Sequence, residues 1–147
     1  MITRGVLAVP AAVAVLAVAG CSSPPPPYQP PAGALVPGTA QVTVNGRDAG
    51  TTDSVRCTPA GRLTTMSTGD QTSGVSVLIE SRDELIVREV GIRDLGGFTG
   101  SFNDGLGGEA SVSLTDRTYD ISGTADGFET DNPSFRSSGT FEIKIAC

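Results

Sequence analysis

Residues 75–92, VSVLIESRDELIVREVGI, decide the fold class. Val75, Val77 and Ile79 recur with a period of two, which puts them on one face of a β-strand. After a polar break, Leu85 and Val87 resume the alternation, and Val90 and Ile92 continue it in the opposite phase. Such a slip would normally send the rest of the strand to the wrong face. A β-bulge near Arg88-Glu89 absorbs it.

The same period extends outward along the chain. Gln41–Asn45 places Val42 and Val44 together and ends in the turn signal Asn45-Gly46. Ser54–Thr58 pairs Val55 with Cys57, Ala110–Thr115 pairs Val112 with Leu114, and Thr118–Gly123 pairs Tyr119 with Ile121. Thr140–Ala146 aligns Phe141, Ile143 and Ile145. These make seven strands, and Arg62–Met66 and Gly97–Phe102 are weaker candidates, for about seven to nine. No gap carries the long helical pattern that a parallel crossover needs. The expectation is an all-β domain, a small antiparallel sandwich or strongly curved sheet. At most one short helix fits, around Glu129–Phe135, where Asn132-Pro133 resembles a helix start.

Composition bounds the function. The chain has 147 residues, room for one domain, and its formal net charge is −6. An acidic chain without a basic run is a poor nucleic-acid binder. Histidine is absent, which removes His-based triads, His general bases and the usual zinc sites.

The N-terminus reads as an export signal. Arg4 supplies the positive n-region, and Gly5–Val18 is apolar but too short to span a bilayer. Val18-Ala19-Gly20 then precedes Cys21, the lipobox pattern in which the thiol receives diacylglycerol and cleavage occurs before it. Two acyl chains suffice to hold a protein stably on a membrane. Residues 1–20 are therefore read as signal peptide, and 21–39 as a lipidated Cys21 followed by a linker. Residues 40–147 are the globular β domain. Ser22–Gly38 holds seven prolines and favours extended polyproline II, a semi-rigid spacer reaching on the order of 50 Å.

With Cys21 lipidated, Cys57 and Cys147 remain, an even pair that predicts one disulfide in an exported chain. The alternative, a metal ligand or nucleophilic thiol, lacks a histidine partner. Carboxylates are the remaining chemical candidates. Asp104 and Glu109 flank a glycine-rich stretch, and Asp126, Glu129 and Asp131 cluster within six residues. The cluster misses EF-hand spacing, and Gly96–Gly108 lacks a P-loop ending. Glu80–Asp94 mixes both signs of charge and reads as a solvated face.

The order of these blocks resembles a known family. Val42-Thr43-Val44-Asn45-Gly46-Arg47-Asp48 leads to Ser54-Val55-Arg56-Cys57. Tyr119–Gly127, Asn132-Pro133 and Phe141–Cys147 follow in the same order as in the mycobacterial 19-kDa lipoprotein antigen family. The resemblance implies a cell-envelope lipoprotein without a catalytic residue, lipidated at Cys21 and bridged between Cys57 and Cys147. It also implies an antigen whose acylated end meets host innate receptors. The linker departs from the Thr/Ser-rich, glycosylated stalk of the family's best-known member, offering only Ser22, Ser23 and Thr39.

Together these readings lead to a non-catalytic lipoprotein lipid-anchored on the extracytoplasmic side of the cell membrane, acting as surface antigen or contact module. The alternative is a carrier for an envelope lipid or glycolipid, gated by the 96–108 stretch. Its partners would be the membrane, a host receptor or an envelope lipid, with no nucleic acid, cofactor or metal. The chain would be a monomer.

Overall fold

The computed structural model describes Gly20 and residues 22–147; residues 1–19, on which the signal-peptide reading falls, and Cys21, on which the lipidation reading falls, lie outside the described residues. Ten strands follow one another: β1 Ala40–Val44, β2 Arg47–Thr52, β3 Val55–Ala60, β4 Leu63–Gly69 and β5 Gly74–Ser81, then β6 Leu85–Leu95, β7 Phe98–Asn103, β8 Ala110–Thr115, β9 Thr118–Glu129 and β10 Ser137–Ala146. They form one sheet in the order β2-β1-β10-β9-β7-β6-β5-β4-β3, with β8 attached to β9. Every pairing is antiparallel. The sheet curls into a nearly closed barrel, so the curved-sheet expectation holds.

The slip near Arg88 is a real bulge. Leu78 opposes Glu89 while Ile79 opposes Val87, leaving Arg88 as the extra residue on β6. Val87 and Val90, three apart, are consequently both buried. Val75, Val77 and Ile79 meet Ala40, Val42 and Val44 from the far side of the curl, with Ile121, Phe141, Ile143 and Ile145 completing one core. The β1–β2 turn carries Asn45 and Gly46 at φ 52° and 73°, the paired positive angles of a tight hairpin. The Asn45 side-chain oxygen accepts the Thr140 N–H at 2.9 Å, fastening this turn to β10.

Three details refine the expectation. No helix occurs among the described residues. β9 runs on to Glu129, and the seven residues before Ser137 form turns instead, with Asn132 N–H donating to the Glu129 carbonyl and Phe135 N–H to that of Asn132. The proline that resembled a helix start sits inside this tight return. Second, β2 adds a strand the alternation did not show, because its residues are nearly all exposed. Third, the linker is not a free spacer. Tyr28 OH donates to the Asp116 carboxylate at 2.6 Å, and Leu35 N–H donates to Thr118 Oγ1 at 2.9 Å. Gly38 N–H then donates to the Ala146 carbonyl, and Ala146 N–H to that of Thr39.

Cys57 on edge strand β3 is bonded to Cys147, just after β10, with Cα atoms 6.0 Å apart. The bridge ties the far edge of the curl back to the strand at its other side.

Candidate functional site at the fork of β7 and β8

β9 is the longest strand among the described residues, and β10 covers one of its edges from Thr118 to Gly127. The other edge is shared. Its last residues, Asp126–Glu129, pair with β7, and Thr118–Gly123 pair with β8. Across this fork, β6 pairs with β7 only between Glu89 and Leu95. Its first residues face β8 without a ladder. A cleft of about 690 Å³ opens there, with Leu85, Val87, Phe102 and Val112 among its apolar walls and Glu84, Asp104 and Glu109 among its polar ones.

The sequence placed Asp104 and Glu109 on either side of Gly105–Gly108, and the fold brings both to this cleft. They do not share a role. Asp104 is held by the guanidinium of Arg88, the bulge residue. The same Arg88 reaches back to Glu80, with Nε 2.7 Å from Oε2. Arg82 takes the other Glu80 oxygen. Glu80 is only 6% exposed although it lies on the outer face of β5, because these two arginines cover it. Their hydrogen bonds, Arg82 first and Arg88 second, hold its carboxyl below the usual range. The Arg88 guanidinium is correspondingly pushed up by Glu80 and Asp104. Glu109 is placed by its backbone, whose carbonyl accepts the Thr124 N–H at 2.9 Å. Of the three carboxylates at the cleft, Asp104 is ion-paired with Arg88, while the side chains of Glu84 and Glu109 make no ion pair among the described residues.

The second acidic cluster is likewise dispersed. Asp126 accepts the Ser138 hydroxyl at 2.8 Å across the β9–β10 pair, while Asp131 sits in the following turn. Among the described residues, no group of three or more Cys, Asp or Glu side chains could hold a metal ion.

Sequence reasoning missed Glu80 as an organising residue. Period two puts it on the solvent face, and its burial arises because Arg82 and the bulge residue Arg88 both close over it. The glycine-rich 96–108 stretch divides into the β6–β7 turn, β7 and a loop whose tip, Leu106, is 82% exposed. The far end of the molecule gathers three turns, at 45–46, 96–97 and 130–136. Thr130 Oγ1 donates to Asp94 there at 2.9 Å, and Phe135 is 69% exposed.

A family model described as Mycobacterium 19 kDa lipoprotein antigen matches residues 33–147. A putative lipoprotein of Mycobacterium indicus pranii is 36% identical over 141 residues, covering 93% of this chain and 96% of that protein. Another, from Mycobacterium avium subsp. hominissuis, is 34% identical over 99% of this chain and 94% of its own length. Lipoprotein LpqH of Mycobacterium tuberculosis is 31% identical over 115 residues, 76% of this chain and 72% of that protein.

Proposed function

The chain belongs to the Mycobacterium 19 kDa lipoprotein antigen family, and from that membership we propose that it is a non-catalytic envelope lipoprotein. It is anchored by acyl chains on Cys21 outside the cytoplasm and presents its β domain as an antigen or contact module. One observation supports this reading: Asp104, the candidate carboxylate at the cleft, is tied to Arg88, which also holds Glu80 together with Arg82. The Leu-Ala-Val-Ala-Gly-Cys ending of the signal, Leu16–Cys21, supports the anchor. Two acyl chains supply stable membrane attachment without a spanning helix.

The anchor is tested on protein extracted from the membrane fraction of the native host. The first peptide is expected to begin at Cys21 and to carry two or three acyl chains. Replacing Cys21 by Ser is expected to abolish the acyl mass and the cleavage before residue 21. A peptide that retains Gly20, or a wild-type chain found wholly in the soluble fraction, overturns the reading.

The carrier alternative has a narrower footing. The barrel interior is filled by the core side chains, so a lipid would have to occupy the cleft at the β7–β8 fork rather than the interior.

A further inference from the structure

The linker touches the domain at a defined pole. Tyr28, Val36 and Pro37 lie beside Asp116 and Arg117 in the β8–β9 turn, around a surface hollow of about 440 Å³. The Tyr28 hydroxyl is bonded to Asp116, and the linker stays bonded to the domain from Leu35 onward. This moves the point of attachment. Measured from Gly38, the chain back to Cys21 is a long spacer. Measured from Tyr28 it is seven residues, four of them Pro24–Pro27. At polyproline II rise that spans about 22 Å.

The same pole holds half of the large apolar side chains exposed on the domain and linker: Tyr28, Val36 and, two residues before Asp116, Leu114. A tyrosine with an apolar ring and a polar tip suits a headgroup layer, and Arg117 suits anionic phosphates.

We propose that the linker acts as a strap: with Tyr28 seated on Asp116, the domain turns its β8–β9 pole toward the lipid surface and holds it within reach of the headgroups. The occupant of this face is the bilayer that carries the anchor. The inference rests on the Cys21 anchor reading. β9 runs from this pole to the opposite one, so the turns at 45–46, 96–97 and 130–136, with Phe135, face away from the membrane. That makes the far turns, not the cleft or the linker, the surface first offered to any protein partner.

The test uses the lipidated chain in nanodiscs of phosphatidylcholine and phosphatidylglycerol containing a gadolinium-headgroup lipid. Amide relaxation enhancement is read residue by residue. The mass of the Cys21 peptide is taken from the same sample, so that failure of the anchor is seen separately. The expected result is an enhancement several-fold larger at 115–118 and 36–39 than at 45–47 and 130–136. Tyr28→Ala, a change in an exposed linker residue that leaves the core untouched, is expected to level this contrast. A uniform enhancement in the lipidated wild type, a larger one at the far turns, or a contrast unchanged in Tyr28→Ala overturns the proposal. A Cys21 peptide without acyl mass overturns the anchor reading and the strap with it.

Discussion

At the scale of single residues, two carboxyls and one phenol are tuned in opposite directions. Glu80 is held ionised by Arg82 and Arg88, and Asp70 by the Ser73 and Thr72 backbone N–H groups at 2.9 and 2.7 Å. Both carboxyls lie below their ordinary values in the folded state. The stability they add is therefore complete above the ordinary carboxylate range and is lost as pH falls through the folded values. Arg88→Ala leaves Glu80 with Arg82 alone and Asp104 with none. Thermal unfolding followed downward from neutral pH is expected to show a lower Tm at neutrality and an acid transition beginning at higher pH than in the wild type. Tyr28 goes the other way. Its hydrogen bond to Asp116 favours the protonated phenol and raises its pKa above 10.0. Docking of the strap thus contributes stability below that pH and loses it as pH rises further. In a Tyr119→Phe background, absorbance titration is expected to place the Tyr28 phenolate above that of a free tyrosine. Asp116→Ala is expected to bring it back.

Among the elements, β9 bears the most constraint, because β10, β7 and β8 all pair with it. Gly127 sits where β7 crosses closest. A Cβ there would lie 2.0 Å from the Thr99 carbonyl oxygen, which is backbone and cannot swing away. Gly127→Ala is expected to cost about 1–3 kcal/mol in urea unfolding, the range for overpacking a tight site. How much of this was legible follows the burial pattern. Strands with one wet and one dry face, such as β1, β5 and β10, announce themselves by alternation, and even the β6 bulge shows as a slipped phase. β2 does not, since Arg47–Thr52 has almost no dry face to alternate with. The segment Glu129–Phe135, where at most one short helix fitted, forms turns because its Asn-Pro pair is equally at home in a tight turn, and only the strand lengths on either side decide between them. The cleft was half legible. Asp104 and Glu109 could be picked out as a pair around glycines. The gap between them and β6 depends on where β7 and β8 divide the edge of β9, a tertiary fact with no local signature.

For the whole molecule, closure of the curl depends on the Cys57–Cys147 bridge as well as on the core. The cysteines are 90 positions apart, and the chain-entropy relation assigns such a loop about 4.5 kcal/mol. A Cys57→Ala, Cys147→Ala double variant is expected to unfold at markedly lower denaturant. The β3–β4 edge, which the bridge holds down, should lose amide-exchange protection before the β9–β10 pair. The central proposal is that this domain, its interior filled by core side chains, serves contact rather than carrying cargo. The most direct test is native mass spectrometry of the oxidised chain, exported as a soluble form with Cys21 replaced by Ser. The account predicts a bare polypeptide mass, two hydrogens below the fully reduced value. A co-purifying lipid or glycolipid that stays bound in the gas phase would contradict it and give the cleft at the β7–β8 fork the leading role.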